Sequence, residues 1–303
     1  MDHLAQLRRN AQELDIPPQA AEWLLGFARP RIVLHRDGRP RFGAGPAAAT
    51  GPIAGYLGGD PMLSDDVEWS GFPHFIAAVD GAALPSGVLD VPFPADGTLL
   101  FFANAGELAW GTDAHGRDVS DTYGRIVYVP PGTPTAARTP GPDHPPFRAE
   151  RVPLRYEIAW TMPGHNSPEY LQLTGKARDL FDKYRGCEIG HPSPASAGVL
   201  TIGGHSTVVQ EHPLDGLYPP GCELDYDFDD DAEAAAARCP DDLPLPPRPG
   251  PQIAPDAEWV ALAELKEHLN WGKTPTITFW TVRRDRLAAR RFDQVCYQLD
   301  LND

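Results

Sequence analysis

Apolar positions Leu4, Leu7, Ala11 and Leu14 recur at helical spacing and stop at Ile16-Pro17-Pro18, where proline removes a backbone donor. A second apolar helix is predicted over Ala20 to Ala28, so residues 1–30 read as a helical hairpin. From Arg31 the period changes. Ile32-Val33-Leu34 opens a strand, and Asp37-Gly38-Arg39-Pro40 has turn chemistry. The next hundred residues read as short strands between Pro and Gly punctuation, with Phe75 to Val79, Gly97 to Ala103 and Arg125 to Val129 the clearest. Thr276 to Val282 is β-branched and aromatic, a good strand, and Val295 to Leu301 alternates as a last one. The pattern predicts an α+β chain, mostly antiparallel β-sheet, with an N-terminal helical pair.

Between these stretches the pattern is mixed. Ser167-Pro168 looks like an N-cap followed by Pro at the first helical position, and Leu171, Leu180, Phe181 and Tyr184 form a stripe ending at Gly186, so a helix is predicted across Pro168 to Arg185. Trp259, Leu262 and Leu265 fit a helix, whereas Trp259, Ala261, Ala263 and Leu265 fit a strand, and periodicity does not choose. Thr133 to Pro146, rich in Pro, Thr and Ala, divides the chain near its middle and suggests lobes 31–140 and 147–303. A Leu-aromatic strand followed by a second hydrophobic strand occurs twice, at Leu99 to Val129 and Ile277 to Leu299, which hints at two related lobes with a ligand cleft between them.

Composition narrows the class. With 303 residues and 42% hydrophobic content the chain can bury a real core, and 34 prolines with 29 glycines favour turns and short strands. The net charge of −16 argues against a nucleic-acid or anionic-membrane partner, because phosphate attraction needs a positive field. The acid is concentrated: 13 carboxylates against Arg238 and Arg248 lie between Glu211 and Glu258. Within that segment, 219–255 reads as an acidic, Pro-rich excursion. The charged start, Met1 to Leu14, is unlike a secretory leader, and the longest apolar windows, such as Leu99 to Ala103, are strand-sized. A cytoplasmic protein with reduced cysteines and no membrane contact is expected.

Gly58-Gly59-Asp60-Pro61, Trp69, Pro73, Phe75, Leu84-Pro85 and Asp96 to Phe102 follow one order of elements. Gly203-Gly204-His205-Ser206-Thr207-Val208-Val209-Gln210, Trp259, Asn270-Trp271-Gly272, Phe279-Trp280, Asp285, Leu287 and Arg291-Phe292 follow another. Together they resemble the YwqG-like family, a bacterial domain of unknown function, over roughly residues 50 to 303. The resemblance implies a strand at Trp259, and it rests on Gly, Trp, Phe and Leu spacing that reports fold more than chemistry. This chain departs from the family pattern with Ser70 after Trp69 and Ala78 where a Gln is common. Proteins resembling this family sometimes occur near toxin systems, which implies an immunity or inhibitor role.

The residues with chemistry converge on one stretch. Gly203, Gly204, His205 and Ser206 put an imidazole, a hydroxyl and permissive backbone beside Gln210, Glu211 and His212. Histidine serves as a general base, but a glycine turn feeding a strand with His205 bonded locally explains the same residues. Trp69, Phe72 and Phe75, interleaved with Gly71 and Pro73, either line a groove or pack in the core. The cysteines and histidines lack close metal-ligand spacing, Asp225, Asp227 and Asp229 lack the Gly and Glu that close a calcium loop, and no phosphate loop or nucleophile elbow is present. No cofactor or metal is therefore expected. Arg283, Arg284, Arg286, Arg290 and Arg291 form a basic cluster, read as a solvated face or a dock for an acidic partner.

Two functions follow as expectations. One is a non-catalytic module that binds a small molecule, peptide or partner protein near Gly203 to His212, with Trp69, Phe75 and Trp271 as further contacts. The other is an enzyme, hydrolytic or an accessory biosynthetic one, with His205 as base assisted by Glu211 or His212. Geometry discriminates them: a base needs a pocket and a carboxylate or hydroxyl in reach, whereas a His205 satisfied by backbone favours binding.

Overall fold

The computed structural model describes residues 3–37, 51–69, 73–103, 124–140, 150–164, 167, 170, 173, 175–190, 199–206, 259–265 and 276–301. Two helices, α1 (His3–Glu13) and α2 (Pro18–Leu25), precede β1 (Arg29–Arg36), β2 (Ile53–Leu57), β3 (Met62–Leu63), β4 (His74–Asp80), β5 (Thr98–Ala103), β6 (Gly124–Val129), β7 (Ala136–Ala137) and β8 (Val152–Thr161). Then come α3 (Gly175–Gly190), β9 (Leu200–Gly203), β10 (Trp259–Leu265), β11 (Thr276–Arg283), α4 (Arg284–Ala288) and β12 (Cys296–Leu301). The α+β, sheet-rich class read from the pattern is the class observed.

Ten strands form one antiparallel sheet in the order β12-β11-β10-β9-β1-β8-β2-β4-β5-β6. The edges meet: a Cβ on Gly124 of β6 would lie 2.0 Å from the Tyr297 ring of β12. A nearly closed barrel results, filled by Ile32, Leu34, Leu57, Phe101, Ile126, Leu154, Ile202, Trp280 and their neighbours. The helical pair packs with α3, Trp160 and Met162 in a second cluster. Among the described residues, no helix is long and apolar enough to cross a membrane.

The sheet is internally duplicated, residue for residue. Exchanging β1 with β8, β2 with β9, β4 with β10, β5 with β11 and β6 with β12 reverses the strand order onto itself. Register follows suit. Tyr56 opposite Ala78, Ala78 opposite Leu100 and Leu100 opposite Val127 correspond to Thr201 opposite Glu264, Glu264 opposite Phe279 and Phe279 opposite Gln298. Even the bulges agree, at Phe75/Ala77 and at Ala261/Ala263. The pseudo-twofold passes between His35 and Arg155 in the β1–β8 ladder, so each half's first strand sits against strands of the other.

Two expectations change. Ser167 accepts from the Tyr170 amide at 3.2 Å and Tyr170 is helical, but Leu173 is not, so the predicted Pro168 to Arg185 helix is interrupted. The helix proper begins at Gly175, whose φ of +51° lies outside the helical range, and it runs through Gly186 to Gly190. The Thr133 to Pro146 stretch also contains β7, which pairs with β3.

If the barrel closes at the Gly124–Tyr297 contact, Gly124→Ala costs about 1–3 kcal/mol by overpacking. Combined with Tyr297→Ala it costs clearly less than the sum of the two single changes, as measured by urea unfolding. Additive costs are the result inconsistent with a packed seam.

Candidate functional site

The Gly203–His205 turn is built from three elements. Gly203 and Gly204 adopt φ of +68° and +74°, and a Cβ on Gly204 would fall 2.9 Å from the Arg31 Cβ and 2.7 Å from the Thr161 hydroxyl. Glycine is needed both for the left-handed backbone and for the close approach. Arg31, on β1, is only 2% exposed; its Nε donates to the Gly203 carbonyl at 3.1 Å and its Nη2 to the His205 carbonyl. The same guanidinium pairs with Glu264 of β10 at 3.4 Å, a carboxylate 3% exposed. Burial pushes the Arg31 pKa down from its ordinary value, and the Glu264 charge opposes that shift.

His205 is buried and tied into the scaffold. Its amide donates to Thr161 Oγ1 at 2.8 Å, and its Nε2 lies 2.7 Å from the Phe27 carbonyl. A carbonyl only accepts, so Nε2 carries the hydrogen and the lone pair of the neutral ring lies on Nδ1. The ring thus joins the end of the helical pair to the turn after β9.

The duplication supplies a comparison within the molecule. Gly58 and Gly59 follow β2 with φ of +66° and +75°, and a Cβ on Gly59 would fall 2.9 Å from the Arg151 Cβ, as Gly204 meets Arg31. Asp60 takes the place of His205. Ala78 occupies the position equivalent to Glu264, so Arg151 has no carboxylate there, and its guanidinium lies 3.8 Å over the Tyr56 ring instead.

The remaining predicted residues separate. Ser206 follows the turn and is half-buried. Phe75 is buried, and Trp69 is half-buried with its indole N–H donated to the Pro73 carbonyl; both pack with Leu63, Leu100 and Phe102 on the outside of β4 and β5. Gln210, Glu211, His212, Phe72 and Trp271 lie outside the described residues. Sequence reasoning missed Arg31, Glu264 and the pair of buried His35 with half-buried Glu157, joined at 2.9 Å. A lone charge inside an apolar strand, as in Arg31-Ile-Val-Leu and Ala-Leu-Ala-Glu264-Leu, is the feature that marks them.

The basic cluster is engaged locally. Arg283 and Arg286 pair with Asp285, Arg291 with Asp293 and Arg290 with Asp96, while Arg284 donates to the Asp90 carbonyl. With Arg29–Asp90 these contacts strap the segment 81–97 to β1 and α4. The Tyr128 hydroxyl and then the Arg290 guanidinium hold the Asp96 carboxyl below its usual range.

Fold and turn define the protein as a duplicated antiparallel barrel with a buried Arg–Glu pair beneath a Gly-Gly turn. The family model described as a domain of unknown function (DUF1963) matches residues 56–300, and the chain belongs to that family, the YwqG-like group. The match spans both Gly-Gly turns and Glu264, whereas β1 with Arg31 precedes it. Comparison with curated proteins finds no match.

Glu264→Gln leaves the buried guanidinium without its counter-charge and is expected to cost about 3–5 kcal/mol in urea unfolding. A cost under about 1 kcal/mol is the contrary result. The Asp96 strap contributes at pH above the ordinary aspartate value of about 3.9 and is lost as pH falls through the lower folded value. Asp96→Asn therefore lowers stability at neutral pH and closes the gap to the parent protein in acid, as read from unfolding midpoints across pH.

Proposed function

We propose that the protein is a non-catalytic binding module, located in the cytoplasm, that holds a small molecule, peptide or protein partner beside the Gly203–His205 turn. One observation carries the reading: the imidazole placed to act as a base is buried and spends its Nε2 hydrogen on the Phe27 carbonyl. A general base needs its lone pair, here on Nδ1, within reach of a substrate proton, and a ring only 6% exposed is withheld from one. Structural histidines instead fix backbone, as His205 does with Phe27 and Thr161. The carbonyl oxygens of Gly203 and His205 are likewise taken up by Arg31, so the turn is rigid before any ligand arrives.

Rigid, charge-balanced surroundings suit recognition, because little conformational entropy is lost on binding. The 13 carboxylates between Glu211 and Glu258 follow the turn in sequence, and that local excess of negative charge favours a basic partner if the ligand is a protein. An immunity-type partner belongs to that version.

Native mass spectrometry of the purified protein beside its denatured mass, with metal analysis of the same sample, tests this. A stoichiometric co-purifying molecule or chain supports binding, and His205→Ala is expected to weaken its retention by loosening the turn. Turnover of a substrate that survives in every respect except for a requirement for His205 is the outcome that would overturn the reading.

A further inference from the structure

Between β4 and β5 the chain leaves the sheet, and the segment 81–97 spans one end of the barrel, where it meets Arg29 at the start of β1, Tyr128 near the end of β6, Gly203 at the end of β9 and Arg284 after β11. Its base is drawn together by the Gly81 amide, which donates to the Gly97 carbonyl at 2.9 Å and makes the segment an Ω-loop. Leu84, Leu89, Val91 and Phe93 pack onto the main core. Among the described residues, no backbone hydrogen bond joins residues 82–96 to a strand of the barrel. Side chains at the rim fasten the loop instead: Asp90 to Arg29 at 3.6 Å, the Asp90 carbonyl to Arg284 at 2.6 Å, and Asp96 to Arg290 and Tyr128 at 2.9 and 2.6 Å.

A cavity of about 30 Å³ lies beneath the loop, lined by Ile32 of β1 and by Leu84, Pro85, Leu89, Val91 and Phe93 of the loop itself. Among the described residues that line it, Ser86 brings the only side-chain hydroxyl and none brings a charge. That space holds a methyl-sized group and no whole molecule, so a larger occupant needs the loop to lift. A segment without ladder bonds opens at lower free energy than the strands around it, and it opens as a unit. Arg290 marks the fastening. It stands at φ of +57°, where glycine is the less strained residue, and its guanidinium is what reaches Asp96 and Tyr128. The cavity adjoins the Gly203–His205 turn through Leu89: a Cβ on Gly203 would fall 3.0 Å from the Leu89 Cδ2.

We propose that the loop 81–97 is a lid over an apolar ligand site at this end of the barrel, beside the Gly203–His205 turn. The occupant is a small uncharged aliphatic molecule with one hydrogen-bonding end. An ion set against Ile32, Leu84 and Val91 would lose its hydration and meet no opposite charge in the lining. An aliphatic chain loses nothing there, and the Ser86 hydroxyl, on an exposed residue of the lining, both donates and accepts for its polar end. Asp90 and Asp96 are paired with arginines at the rim, so they hold the lid rather than the ligand. The inference rests on the binding-module reading and specifies its ligand and the element that encloses it.

The test uses the full chain with 1-hexanol and cyclohexanol as probes and ionised hexanoate as the charged control, in saturation-transfer difference NMR. At least one alcohol is expected to bind the parent protein, and hexanoate binds about tenfold more weakly or not at all. Leu89→Trp fills the cavity and weakens the alcohol by about tenfold. Hydrogen exchange reads the lid itself: bound alcohol slows the Gly81, Leu84 and Phe93 amides, and Arg290→Ala, outside the cavity, speeds them by about fivefold while the β1–β8 ladder keeps its protection. Silence from both alcohols, hexanoate binding as well as they do, or alcohol binding unchanged in Leu89→Trp overturns the site. Loop amides that exchange no faster in Arg290→Ala overturn the lid. Native mass spectrometry separates the two levels. A molecule or chain that co-purifies equally with parent and Leu89→Trp, while the alcohols stay silent, sinks this site and leaves the binding-module reading standing, whereas a bare mass together with silent alcohols removes both.

Discussion

The antiparallel ladder between β1 and β8 is the constraint on which the rest of the structure depends. It pairs Arg29 with Thr161 through to Arg36 with Leu154, and it is the place where the two halves of the chain cross into one another. Without it β9 to β12 and β2 to β6 are two unconnected half-sheets, each with an open edge of unpaired amides and carbonyls. With it, one sheet runs from β12 to β6 and curls until its ends touch at Gly124 and Tyr297, which encloses the main core. Nonlocal pairing of this kind costs loop-closure entropy, and the dense apolar interior offsets that cost.

The ladder also explains why Arg31 and Arg151 stand in equivalent places. Each precedes a strand segment that borders a Gly-Gly turn of the other half, and in each case the missing Cβ lets the backbone lie against the arginine stem. From that common start the halves diverge by one residue, Glu264 against Ala78. A carboxylate pulls Arg31 inward and makes it a clamp on two turn carbonyls; its absence leaves Arg151 stacked on Tyr56 near the surface. The polar residue at this position thus stands on one side of the pseudo-twofold only.

That asymmetry frames the functional reading. A buried pair of opposite charges is weak evidence of stability, since its desolvation roughly cancels its attraction. Its value lies in holding the turn that bears His205. The tied, buried imidazole favours recognition over proton transfer.

Much of the fold was legible. The switch from helical to strand period at Arg31, the strands at Phe75, Leu99, Arg125, Thr276 and Val295, and the repeated Leu-aromatic strand pair all report local side-chain preference, which acts between near neighbours in the chain. Sequence reasoning missed the longest strand, β8, although Leu154, Tyr156, Ile158 and Trp160 alternate there with Pro153, Arg155 and Glu157. The sequence by itself determined the main element types and marked the two Gly-Gly turns, while the acidic stretch 219–255 lies outside the described residues. Only the tertiary structure decided that those turns are equivalent, that Arg31 meets a carboxylate 233 positions away, and that His205 faces the Phe27 carbonyl. Those relations depend on which strands become neighbours, and strand order is set by burial of the whole core, which no local pattern encodes.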